Sequence, residues 1–196
     1  MMCRKSDSDS IARTVSCLKN GEVVIIPTDT VYGFSGAVDM PDKPAFRTDD
    51  KIRKIKGRSE TKPLIQLLAA PGDIYNYTDT DIPVELLNKW PGPLTLIVKN
   101  KSGGGTTAFR CPGDEWLRSV IAACGSPIYS TSVNRSGSPV LQTVHDICSE
   151  FEKECSLIVA AGDTKNALPS TIVSLVSGKM EIIRRGTVKI NSSLRK

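Results

Sequence analysis

Apolar residues at Ile11, Val15 and Leu18 fall on one face of a short helix that Ser8, Asp9 and Ser10 can cap and that Asn20-Gly21 ends. Residues 23–26 (Val-Val-Ile-Ile) are an unbroken apolar run closed by Pro27, the pattern of a strand covered on both faces. Part of residues 45–56 reads as a helix ended by Gly57 in a left-handed conformation. Residues 63–68 read as a strand, and residues 84–90 as a short helix broken by Pro91-Gly92-Pro93. Leu94–Lys99 and Thr106–Arg110 read as two strands joined through Gly103-Gly104-Gly105. Trp116, Leu117, Val120 and Ile121 mark another helix, followed by a strand at Ile128–Ser132. Thr143 can cap a helix lined by Val144, Ile147, Cys148 and Phe151, and Leu157–Ala160 is strand-like. Residues 171–176 and 180–183 close the pattern as a hairpin around Ser177-Gly178. Helices and strands alternate, yet neighbouring strands in the middle and at the end can pair antiparallel. An α/β domain with a mixed sheet is therefore expected.

Composition narrows this picture. With 196 residues, 39% hydrophobic and 24% charged, the chain suits one globular domain and neither a disordered nor a low-complexity polymer. No apolar run approaches the ~20 residues of a membrane helix, and the first ten residues are polar and charged, so cytoplasmic residence and no membrane association are expected. Six irregularly spaced cysteines read as reduced thiols; with no CxxC and His145 as the single histidine, a structural zinc site is not expected. The net charge of +5 admits anionic partners without requiring them.

The chain contains no GxxxxGK[ST] loop, GxGxxG fingerprint, HExxH or GxSxG elbow. A Ser/His/Asp triad would need His145, which reads better as a solvated helix residue. Polar clusters instead flank the apolar strands: Thr28-Asp29-Thr30, the run from Ser130 to Gly137, and Ser170-Thr171. Each could be a turn or a cap, but so many hydroxyls suit a phosphate, a ribose or a small polar substrate in a crevice at the sheet edge. Lys51, Arg53, Lys54, Lys56, Arg58 and Lys62 form the densest basic segment. A solvated helix face is the plain explanation; Lys56 and Arg58, however, flank Gly57 and can converge on one anion such as a triphosphate. Arg110 and Arg184 end apolar strands, where a guanidinium serves carboxylate or phosphate recognition or a structural ion pair.

The order of Pro27-Thr28-Asp29-Thr30-Val31-Tyr32-Gly33, Lys56-Gly57-Arg58 with Lys62-Pro63-Leu64, Pro91-Gly92-Pro93-Leu94-Thr95, Arg110-Cys111-Pro112, Ser132-Val133-Asn134-Arg135-Ser136-Gly137, Ser170-Thr171-Ile172-Val173 and Arg184-Arg185-Gly186 resembles the YrdC-like family. The likeness covers roughly residues 21–188 within a single domain, 1–196, of the short form. It implies a twisted mixed α/β sheet with flanking helices around a large, positively charged concave cavity. It also implies a nucleotidyltransferase that makes threonylcarbamoyl-adenylate and pyrophosphate from L-threonine, bicarbonate or CO2, and ATP with Mg2+. The product would pass to the machinery that modifies tRNA, with weak tRNA contact at most.

By the same resemblance Lys56 and Arg58 are the catalytic cations. Thr30, Tyr32, Arg110, Ser130 and Ser170 would hold threonine, and Lys56, Arg58, Lys62, Thr106, Ser132, Asn134, Val140 and Arg184 would surround ATP. No residue is assigned to the metal, which the ATP phosphates would carry. Three positions depart from the family pattern: Phe34 for a leucine, Val133 for the alanine of Ser-Ala-Asn, and Leu67 where some relatives have a histidine. These changes keep open a paralogue with another carbamoyl acceptor. An RNA-binding module using the same basic concavity is the alternative from another class; the absence of interleaved aromatic and basic residues near Lys51 speaks against base stacking.

Overall fold

The computed structural model describes residues 1–41, 45–58, 63–165 and 167–190. Its strands are β1 (Met2–Arg4), β2 (Val24–Ile26), β3 (Gly33–Ala37), β4 (Ile65–Leu67), β5 (Leu94–Lys99), β6 (Thr106–Arg110), β7 (Ile128–Ser132), β8 (Leu157–Ala160), β9 (Thr171–Ser174) and β10 (Glu181–Arg184). The helices are α1 (Ser10–Lys19), α2 (Thr48–Lys56), α3 (Val84–Leu87), α4 (Glu115–Cys124) and α5 (Val144–Phe151), with a 3-10 turn at Pro71–Asn76. All ten strands join one mixed sheet in the order β1-β8-β2-β3-β7-β4-β6-β5-β9-β10. The expected α/β class and final hairpin are present, β9 and β10 pairing antiparallel.

Two strands lay outside the reading of the sequence. The Met-Cys-Arg segment of β1 pairs parallel to β8 and turns only Cys3 inward. The Gly-Phe-Ser-Gly-Ala segment of β3 is buried along its whole length between β2 and β7. Its glycines explain why a sequence with weak strand propensity is accepted there. A Cβ on Gly36 would lie 2.7 Å from the Cβ of Thr48, so the bare backbone lets the first turn of α2 seat on the sheet. Thr48 then donates its hydroxyl to Ala37 O.

Cross-strand partners share a face of a sheet. On one face α1 and α4 pack Leu18, Leu117, Val120 and Ile121 against Val24, Ile26, Leu67 and Ile128. On the other face α2 and α5 bring Ile52, Ile147 and Phe151 to Ile25, Phe34 and Ile158. Further along that second face, Ile74, Leu86 and Trp90 cover Leu94, Leu96, Val98, Phe109 and Val173. Each such fully buried side chain contributes about 1.5–3 kcal/mol by removal from water.

Helical cover is unequal. Ile97, Ile172 and Ser174 belong to the first face but remain partly exposed, and Thr106 is exposed. Over β6, β5 and β9 this face is therefore a less covered floor, on which Thr106, Arg110 and Arg184 stand. Among the described residues no helix is long and apolar enough to cross a membrane.

Candidate active site

Registers fix the layout of the floor. Ser130 pairs with Ile65, Ile65 with Ala108, Ala108 with Ile97, and Ile97 with Ser174, giving a row with a hydroxyl at each end and apolar groups between. A neighbouring row ends in two arginines. Arg110 pairs with Leu67, Thr95 follows as its neighbour on β5, and Thr95 pairs with Ile172, which pairs with Arg184. Continuing the registers in the other direction brings Ser132 and Thr106 to one level. Four residues of β7 separate Ser132 from the Arg110 row, roughly 13 Å along the strand.

At the end of β7 the basic segment delivers two cations. Lys56 closes α2 and Gly57, with φ of 60°, turns the chain out of the helix. That turn lets Arg58 follow Lys56 to the same place. Lys56 Nζ donates to Ser132 O, to Asn134 O at 3.0 Å and to Asn134 Oδ1 at 2.9 Å, and it lies 5.4 Å from the ring centroid of Phe34. Ser132 Oγ donates to Asn134 Oδ1 at 2.8 Å. Arg58 donates to Thr131 Oγ1 at 2.9 Å and to Pro63 O at 3.1 Å; its buried Nε has no partner among the described residues. Both cations approach from the α2 side, since Thr131 pairs with Phe34 on the face opposite Ser130. Among the described residues neither forms an ion pair with a carboxylate.

Burial pushes the Lys56 ammonium down to about 8, with the Arg58 charge adding to the effect; burial and the Arg53 charge also lower Arg58. Such a pair is destabilised until an anion arrives. A bound polyanion would hold Lys56 protonated, so polyanion binding is expected to take up a proton above pH 8 and to weaken between pH 7 and 9. Calorimetry in buffers of different ionisation enthalpy checks this, and Lys56→Met should remove the dependence. The stability sign runs oppositely for the empty protein. With the folded value near 8 against an ordinary 10.5, the unfolded chain holds more protons between them, and stability rises with pH across that window.

The second cluster is built by the loop between β2 and β3, which reaches Arg110. The Arg110 guanidinium donates to Thr30 Oγ1 at 3.1 Å and to Asp29 Oδ1 at 3.0 Å, while Asp29 Oδ2 accepts from Gly113 N at 2.8 Å. Thr28 and Thr30 hydroxyls lie 2.9 Å apart. Burial lowers the Arg110 value despite Asp29, and the charge of Arg184 adds to the lowering. Among the described residues its buried Nε lacks a partner and can take a further acceptor. Ser130 is buried, and its Oγ lies 2.7 Å from where a Cβ on Gly33 would stand, with Thr28 beside it. Alanine at 33 would therefore push Ser130 off its place.

A third cluster lies beyond β5. Ser170 Oγ and Thr95 Oγ1 are 2.9 Å apart, and Arg184 donates to Ser170 O at 2.9 and 3.1 Å and to Ser170 Oγ at 3.1 Å. Among the described residues this arginine too has no carboxylate partner.

The expected residues thus separate into groups. Lys56, Arg58, Ser132 and Asn134 form one cluster; Thr30, Arg110 and Ser130 lie together on the floor. Arg184, expected with the nucleotide set, stands beside Ser170, expected at threonine. Val140 is half-buried in the loop after β7, next to Leu141, which donates its N–H to Val133 O. Lys62 lies outside the described residues.

Tyr32 is buried and its hydroxyl is committed to the fold, donating to Gly162 O and accepting from Ala161 N, both at 2.8 Å. It anchors the loop after β8. The departures from the family pattern also lie in the core. Leu67 packs under α1 and α4, and Val133 packs with Phe34 against α5, so neither lines the floor. Phe34 meets Phe151 edge-on at 4.8 Å and underlies Lys56. Asp29 and Thr131 stand within the polar clusters and Thr95 within a motif read from the sequence, but none of the three was assigned a role there; Thr95, a hydroxyl inside an apolar strand, carried the readable signal.

Comparison with known proteins bears on the whole arrangement. A mouse protein named threonylcarbamoyl-AMP synthase is 31% identical over 206 residues, covering 97% of this chain and 71% of the relative. The threonylcarbamoyl-AMP synthase of Pseudoalteromonas translucida is 28% identical over 89% of this chain and 98% of its own. The crystal structure of P. abyssi Sua5 complexed with L-threonine superposes with a TM-score of 0.81 at 28% identity. It matches 95% of this chain, which spans 57% of that longer chain. Residues 16–186 match the Sua5/YciO/YrdC family, described as telomere recombination, and this stretch contains the clusters around Lys56, Arg110 and Arg184. Fold, motif order and sequence therefore agree that the chain belongs to the Sua5/YciO/YrdC family.

Proposed function

We propose that this protein is a threonylcarbamoyl-AMP synthase, joining L-threonine, CO2 or bicarbonate, and ATP into threonylcarbamoyl-adenylate with release of pyrophosphate. The observation that carries the reading is the Lys56–Arg58 pair, bonded among the described residues to neutral oxygens and standing about 13 Å along β7 from the row of the buried Arg110. Cations so poised suit a phosphate chain. The spacing suits an extended ligand that meets a smaller one on the floor.

In the reaction the threonine amine adds to CO2 and loses a proton, giving a carbamate. A carbamate oxygen forms a bond to the α-phosphorus of ATP while the bond to the β-phosphate bridging oxygen breaks and pyrophosphate leaves. No protein nucleophile is needed. Lys56, Arg58 and Arg184 stabilise charge on the phosphate oxygens, and Arg110, with its unused Nε and Thr30 and Ser130 beside it, receives the amino-acid carboxylate. Ser170 and Thr95 supply hydroxyls, Ser132, Asn134 and Thr106 line the nucleotide end, and Val140 packs near it. Lys62, outside the described residues, belongs to the set expected to hold ATP. Alignment of two bound reactants is worth about 7–11 kcal/mol.

Magnesium belongs to the substrate. Among the described residues no three His, Cys, Asp or Glu side chains gather as ligands, and Asp29 already serves Arg110 and Gly113. The donor set here suits phosphate, so the metal enters with ATP.

The test is to supply ATP, Mg2+, bicarbonate and each amino acid in turn, following pyrophosphate and adenylate by mass spectrometry. Pyrophosphate should form with threonine. Turnover with a different amino acid would assign another acceptor, and no amino-acid-dependent pyrophosphate would sink the proposal. In cells the product is expected to feed the threonylcarbamoyl transfer to tRNA.

A further inference from the structure

Arg135 stands next to Asn134 but faces away from the floor. Its Nε donates to Glu150 Oε1 at 2.9 Å, and its two terminal nitrogens donate to both oxygens of Glu154. Nη1 also donates to Ile55 O, the carbonyl immediately before Lys56, and Cζ lies 4.4 Å from the Phe151 ring centroid. One guanidinium thus ties the last turn of α2 to α5 through Glu150 and to the turn that follows α5 through Glu154.

Its main chain completes the bracket. Asn134 Nδ2 donates to Arg135 O at 2.9 Å and to Ser138 O at 2.7 Å, which turns Oδ1 toward Lys56 Nζ and Ser132 Oγ. Ser136 N–H donates to Lys56 O at 2.8 Å. The Ile55 carbonyl is among those a helix C-terminus leaves without an internal partner, and a cation is favoured there.

We propose that Arg135 is a positioning residue, clamping α2 to α5 so that Lys56 and Asn134 keep one geometry at the phosphate-binding end. This rests on the function proposed above. Two other roles fit the observations less well. With its fork on two carboxylates and a carbonyl, Arg135 has its charge answered inside the protein and is a poor phosphate ligand. Its side chain is 38% exposed, as is that of Glu154, so the ion pairs are solvent-screened and add little to stability. What remains is geometry, on which phosphoryl chemistry depends steeply.

The test compares the intact chain with Arg135→Gln, the pair Glu150→Gln and Glu154→Gln, and all three together. Arg135→Gln should lower kcat and raise the ATP KM by about tenfold combined, with the threonine KM unchanged and the melting temperature within about 2 °C. The glutamate pair should shift the same constants in the same direction, and the triple variant should be no worse than Arg135→Gln, the mark of groups acting as one unit. Tighter ATP binding after removal of the glutamates would mean that a freed Arg135 contacts phosphate, overturning the proposal. So would constants within about twofold of the parent, or equal rises in both KM values together with a fall in melting temperature. Calorimetry of a non-hydrolysable ATP analogue separates the two levels. If the parent binds it and Arg135→Gln binds it equally well, only the clamp is wrong; if the parent does not bind it, the functional reading fails and takes the clamp with it.

Discussion

Replacing Arg58 by alanine is expected to lower turnover by about 10²- to 10³-fold, the usual cost of removing one preorganised donor from a developing oxyanion. The fold should survive. Arg58 bonds only Thr131 Oγ1 and Pro63 O among the described residues, so its loss strands no buried carboxylate. Its Nε has no partner among the described residues, so donor capacity beyond those two bonds is left there. Lysine at 58 should restore part of the rate, because the charge returns without the planar fork. Pyrophosphate release near the parent rate by a folded Arg58→Ala protein would refute the role.

Arg110→Ala should fail differently, in stability as well as in substrate use. Its side chain is 6% exposed and that of Asp29 14%, so truncation leaves a largely buried carboxylate whose other partner among the described residues is Gly113 N–H. Breaking such a pair from one side costs about 3–5 kcal/mol, measurable by chemical denaturation. The threonine requirement should rise more than the ATP requirement. Because lost stability could disguise this, the informative protein is Arg110→Ala combined with Asp29→Asn. That pairing should recover much of the stability without recovering threonine affinity. Equal rises in both KM values in the double variant would count against a carboxylate-binding role.

How far the sequence carried these conclusions depended on which forces set each feature. The boundaries of β5, β6, β7 and β8 were legible because segments of strand length rich in β-branched and aromatic residues sit between strong turn residues. The cap of α5 was equally plain, Thr143 Oγ1 accepting from Asp146 N. In contrast, β3 carries two glycines and a serine, and its burial comes from close approach of Thr48 and Ser130, a tertiary cause that no local pattern reveals. The strand β1 is an edge with a single inward residue, too little for a period to register.

The candidate site divides in the same way. Convergence of Lys56 and Arg58 followed from a helix-ending glycine between them, a local geometry. That Arg184 would meet Ser170, and that Thr106 would stand level with Ser132, depends on strand order and register across the sheet. Asp29 looked like a turn residue; only the crossing of its loop to Arg110, 81 positions away, makes it a counter-ion. Tyr32 shows that a hydroxyl in a motif can also serve the scaffold, here by bonding the loop after β8.

The sheet order has a last consequence, for biosynthesis. Ser170 precedes β9 and Arg184 ends β10, the last two of the described strands in chain order, and β9 docks on β5, whose residues leave the ribosome more than seventy positions earlier. A nascent chain therefore carries its lysine and its first two arginines for most of translation while one wall is missing. Competence would arrive abruptly, when the final hairpin closes on an edge that has been waiting for it.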